Sequence, residues 1–257
     1  MKTGRFGGAA VVAVLLFAAA ATAAKVCPKI DGYKAVVKGT GKNAQGLEST
    51  VNFFNEHVLR GDDNGNSPGP LKAGRRSINW DAGIVPFKFP GRFFNDVVTR
   101  GLIVRAKGGL AVSDPEPSNG DVRFSSLNRR ASWDFSTFSP KRLFTPVKDN
   151  KVEVTFEIPA KKQRALVRGF GAVYVDVDRV GATKAVYYNR SNCVIAEETV
   201  DPQNKGLSFL GVGFEEPIIA RVVITLGNTP IARKWWRSAD FVVLDDFLYS
   251  EPQPFWK

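Results

Sequence analysis

Four aspartates stand where strand-rich stretches seldom spend them: Asp176 and Asp178 in residues 168–178 (RGFGAVYVDVD), and Asp245 and Asp246 in residues 241–249 (FVVLDDFLY). Side chains alternate along a strand, so Tyr174, Asp176 and Asp178 fall on one face and Val173, Val175 and Val177 on the other. Asp245 and Asp246 are consecutive and should point to opposite faces of an otherwise apolar strand, so at least one must face a core. A buried carboxylate needs an arginine, backbone amides or a hard cation, or else it takes up a proton. Calcium prefers several oxygen ligands, and a structural Ca2+ held by Asp176, Asp178, Asp245 and Asp246 is one expectation. Turn capping, or an ion pair with Arg168 or Arg179, is the plainer one. Two acids about 5–9 Å apart would suit a glycosidase. Same-face neighbours on any strand lie about 7 Å apart, so that spacing identifies nothing.

Other chemistries find little footing. The chain has one histidine, His57, and no G-x-S-x-G, so a hydrolytic triad has no home. Phosphate-loop and dinucleotide glycine patterns are absent, and no Cys/His spacing suits zinc. Residues 61–74 alternate Asp62, Asn64 and Asn66 as a calcium loop does, but Ser67 and Ala73 replace the glycine and glutamate such a loop needs. A lyase could use Tyr174, Tyr187 or Tyr188 beside Arg168 and Lys184. Sugar binding has better material, because flat rings meet the C–H faces of sugars. Trp235 and Trp236 sit in IARKWWRSAD among Arg233, Lys234 and Arg237. That cationic aromatic loop, with Tyr174, is the expected ligand site.

The elements that must position these residues are mostly strands. Residues 151–158 alternate Val152, Val154, Phe156 and Ile158 against Lys151, Glu153, Thr155 and Glu157, a half-buried strand. Similar short runs recur about every ten residues, at 75–81, 101–107, 122–127, 131–138, 141–147, 183–189, 193–200, 206–214, 218–226 and 240–249, with Gly, Pro, Asn or Asp between them. One helix is expected over 46–59, where Leu47, Val51, Phe54 and Val58 form a single stripe. The pattern predicts an all-β, jelly-roll-like two-sheet β-sandwich with one N-terminal helix. Residues 46–252 would form the domain, after a leader over 24–45.

Residues 1–23 read as a secretory signal peptide: Lys2 and Arg5, an apolar run, then Ala21-Thr22-Ala23. No later run is long and apolar enough for a transmembrane helix. In an oxidising compartment Cys27 and Cys193 should pair. Asn189-Arg190-Ser191 is a glycosylation acceptor in a eukaryotic host. The formal charge of +11 falls to +9 once Lys2 and Arg5 are removed. For a secreted chain this favours an acidic polysaccharide or a membrane surface over nucleic acid.

GNSPGPL, GRRSINWD, FFND, FSPKRLFTPV, VRGFGAVYVDVD, GLSFLGVGF and VVLDDFLYSEPQ, in that order, resemble a group of secreted bacterial proteins that often carry exosortase-type sorting tails. The resemblance spans about residues 61–253. It implies a β-sandwich and extracellular exposure, and it lends no catalytic residues. This chain departs from the pattern at Ser77, in its basic Trp-Trp loop and in lacking a sorting tail. The expectation is a secreted, non-catalytic glycan-binding protein of the cell wall or extracellular matrix. Its rivals are a lyase or glycoside hydrolase on acidic polysaccharide, and a structural matrix protein without a small ligand.

Overall fold

The computed structural model describes Cys27 and residues 34–113, 123–129, 135–234 and 237–255. Among the described residues, fourteen strands, numbered in chain order, form two antiparallel seven-stranded sheets. Sheet A runs β1 (Lys34–Gly41), β11 (Gln203–Phe214), β8 (Gly169–Val177), β13 (Val243–Ser250), β5 (Phe144–Pro146), β4 (Leu110–Val112), with β2 (Arg75–Ile78) also on β13. Sheet B runs β10 (Val194–Thr199), β9 (Lys184–Tyr188), β12 (Arg221–Thr225), β6 (Lys151–Glu157), β7 (Arg164–Leu166), β14 (Gln253–Pro254), with β3 (Leu102–Arg105) on β6. The chain is an all-β two-sheet sandwich. Strand β6 follows its alternation, with Val152, Val154 and Phe156 buried between the sheets.

The expected helix is α1 (Ala44–Phe53) continued by a π-helical turn over Phe54–Leu59. Asn43 caps it by accepting the Gly46 amide. Leu47, Val51, Phe54 and Val58 are all buried against the outer face of sheet A, where they join Val173, Val175 and Phe209. That cover explains why β8 is buried along its whole length. The sheet must be smooth to take it. A Cβ on Gly211 would stand 2.5 Å from the Phe54 ring, and one on Gly171 2.9 Å from it.

The sandwich starts earlier than expected. Strand β1 pairs with β11 without a break from Lys34↔Phe214 to Gly41↔Leu207, inside the span read as a leader. The strands expected over 122–127 and 131–138 are not found among the described residues. Residues 123–129 form turns and 135–138 are irregular. Residues 131–134 and the signal segment lie outside the described set.

The motif-rich stretches build the scaffold. Arg76 of β2 is fully buried against Glu251, with Nε–Oε2 at 2.6 Å and Nη2–Oε1 at 2.9 Å. Its remaining donors reach the carbonyls of Gly65, Ser67 and Thr99, while Asn64 and the Leu71 amide donate to Glu251. Trp80 stacks on Phe144 at 4.3 Å, with Phe94 and Phe247 edge-on, and donates its Nε1–H to the Asp245 carbonyl.

Candidate functional site

The four aspartates are not gathered into one site. Among the described residues, no cluster of three or more acidic, histidine or cysteine side chains is arranged to hold a metal. Asp176 adopts a left-handed backbone, φ +63°, opposite a register shift in β11 between Gln203 and Leu207. Its Oδ1 accepts the Lys205 amide at 2.8 Å. The twist breaks the expected alternation: Val173 and Val175 face the helix, whereas Val177 joins Tyr174 in the core between the sheets. Asp178 is exposed, accepts from Asn204, and donates its amide to Asp240 Oδ1 at 3.4 Å.

Asp245 and Asp246 do not point to opposite faces. They sit in a β-bulge of β13, two residues where the paired β8 has one, since Leu244 faces Tyr174 and Phe247 faces Ala172. The two carboxyls lie close enough to influence each other's charge, and Asp246 Oδ1 is buried without a hydrogen-bond partner among the described residues. Asp245 also accepts the Phe138 amide at 2.6 Å and the Ser139 hydroxyl at 2.8 Å, fastening the 135–140 segment to the sheet. Burial, reinforced by the neighbouring acid, pushes Asp245 well above the usual carboxylate range, and burial raises Asp246 to about 6.

Among the residues expected to bind ligand, Tyr174 is fully buried and its ring packs in the core between the sheets, away from any ligand surface. Burial raises its hydroxyl pKa. Arg233 and Arg237 are exposed on the connection between β12 and β13. Trp235 and Trp236 lie outside the described residues.

A concave polar surface lies elsewhere, on the outer face of sheet B. A groove of about 350 Å³ is lined by Arg105, Glu153, Thr155, Arg164, Arg190 and Arg221, among others. A second opening of about 530 Å³ shares Arg164, Arg190 and Phe255 with it. Register builds the floor: Tyr188, Arg221 and Thr155 stand in one row across β9, β12 and β6, and Arg105 faces Glu153 across β3 and β6. Arg221 lies over the Tyr188 ring at 3.8 Å from its centroid, bonds Glu153 at 3.3 Å and reaches Asn192. The 189–193 turn forms one wall. Asn189 Oδ1 accepts the Ser191 and Cys193 amides, and Arg190 donates to the Phe255 carbonyl at 3.2 Å. The Cys27–Cys193 disulfide anchors this turn.

Sequence reasoning passed over this groove because its residues look like the solvated side of ordinary strands. The polar half of β6 was visible as such. That it would meet Arg221, Arg164 and Arg190 depends on strand order, which one sequence does not carry. The arrangement can hold anionic groups on guanidinium forks and an apolar face on Phe255.

Fold and groove together define a two-sheet β-sandwich with a cationic surface cleft. Compared with protein-family models, curated proteins and solved structures, the chain matches none.

Proposed function

We propose that the chain is a secreted, non-catalytic glycan-binding β-sandwich whose ligand is an anionic polysaccharide lying along the outer face of sheet B. The observation that carries this reading is the groove in which Arg105, Arg164, Arg190 and Arg221 gather beside Phe255. Its volume falls in the range of small-ligand sites, roughly 300–1,000 Å³. The signal-like residues 1–23 and the disulfide support an extracellular address. Calcium has no part in the proposal, since Asp176 and Asp245 are engaged with backbone amides and a hydroxyl.

Retention of the purified chain on polygalacturonate, dextran sulfate and neutral dextran tests it, with the supernatant assayed for released sugar. Wild type should be held by one or both anionic polymers. Arg164→Gln/Arg221→Gln should be held at least about fivefold more weakly, the worth of roughly 1 kcal/mol of charge contact. Equal retention of the double variant would sink the groove, and loss in Trp235→Ala/Trp236→Ala instead would move the site to that loop. Released sugar would make the protein an enzyme. No retention at all would favour a structural matrix role.

A further inference from the structure

Arg164 of β7 stands directly opposite Glu157 of β6 in the antiparallel register, a position where a cross-strand ion pair is the ordinary outcome. No such pair forms. Glu157 is held by Arg92 in a two-point contact, Nη1–Oε1 at 2.6 Å and Nη2–Oε2 at 2.7 Å. The Asn95 amide adds a third donor at 2.8 Å. Arg92 is itself steadied by Asp96, through Nε–Oδ2 and Nη2–Oδ1 contacts of 3.1 Å. The Glu157 side chain is only 14% exposed. The Arg164 side chain is left exposed, with no hydrogen bond or ion pair among the described residues, at the boundary of the two openings.

We infer that Arg92 is a specificity-determining residue acting at a distance: by occupying Glu157 it keeps the Arg164 guanidinium unneutralised and available to the anionic groups of a polysaccharide. The inference rests on the groove reading above. Arg92 is a positioning residue and touches no ligand. Take it away, and Glu157 turns to its cross-strand neighbour, filling the groove's free cation with an internal carboxylate. Charge selectivity in this cleft therefore depends on Arg92, which precedes the short helix Phe93–Asp96 and lies outside the cleft.

The test measures binding of polygalacturonate and dextran sulfate, the carboxylate and sulfate forms of the same chemistry, to wild type, Arg164→Gln, Arg92→Met and Arg92→Met/Glu157→Gln. Arg164→Gln and Arg92→Met should each bind about fivefold more weakly, and the double variant should return to near wild type because Arg164 is free again. A structural role for Arg92 would not be repaired by removing Glu157. Arg92→Met binding like wild type, or a double variant as weak as Arg92→Met, would overturn the inference while a weakened Arg164→Gln still upheld the groove. If Arg164→Gln binds like wild type, the groove reading itself falls, and the inference with it. Should Arg92→Met fail to fold, Arg92→Lys, which makes only a point contact, should give an intermediate loss that Glu157→Gln repairs. Absence of that loss, or of its repair, counts against the inference.

Discussion

Asp245 and Asp246 sit next to each other inside the β13 bulge, where burial makes each carboxyl resist ionisation. Asp246 keeps its proton up to about pH 6 in the fold, whereas an unfolded aspartate releases it near 3.9. The folded state thus binds the extra proton. Its stabilising contribution is full below the unfolded value and is lost as pH rises through the folded one. Asp240, raised to about 6 mainly by burial, adds to the same trend. Asp246→Asn should accordingly raise the unfolding free energy measured in urea at pH 7.5, by up to about 3 kcal/mol, and leave it nearly unchanged at pH 4. A variant that lowers stability equally at both pH values would refute this account. Arg76 and Glu251, by contrast, form a buried pair whose hydrogen bonds are satisfied. Arg76→Met leaves Glu251 unpaired and should cost about 3–5 kcal/mol, while Arg76→Met/Glu251→Gln should cost clearly less than the two single changes summed. Thermal unfolding of the four proteins gives the cycle.

At the scale of elements, the seat of α1 on sheet A depends on what is missing from the sheet. Gly171 and Gly211 leave room for the Phe54 ring. Gly211→Ala should force that ring aside and destabilise by about 1–3 kcal/mol, the usual cost of overpacking a filled core. Adding Phe54→Leu should recover part of the loss, and full additivity of the two changes in denaturant unfolding would show that they do not touch. The helix was legible in the sequence because its stripe is local. The glycines in GFGAV and GLSFLGVGF were visible too, but their purpose was not, since the ring they accommodate comes from more than a hundred residues away. The bulges were hidden for a related reason. An unbroken period of two is the natural reading of VYVDVD and VVLDDFLY, and only pairing with a neighbour reveals an extra residue.

Across the whole molecule, the Cys27–Cys193 bond closes a span of 166 residues and ties the N-terminal segment to the β9–β10 turn. Chain entropy puts its removal at up to about 5 kcal/mol. Reduction or a Cys27→Ser/Cys193→Ser pair should lower the unfolding midpoint markedly, and an unchanged midpoint would mean the tether is idle. The net positive charge adds a long-range attraction for polyanions that salt screens within about 10 Å at 0.1 M. Binding held by the groove should outlast that screening, whereas attraction by surface charge alone should vanish at moderate salt.

Alternation in β6, the stripe of α1 and the presence of two cysteines were enough to specify strands, a covering helix and a disulfide, because each is a local pattern or a simple count. Strand order and register were decided only in three dimensions. They set Arg164 opposite an already occupied Glu157, put Asp245 and Asp246 side by side, withdrew Tyr174 into the core, and drew arginines from β3, β7, β12 and the 189–193 turn to one face. The physical reason is that a sheet's neighbours are chosen by burying both of its faces at once, a condition on the whole chain that no short stretch can express.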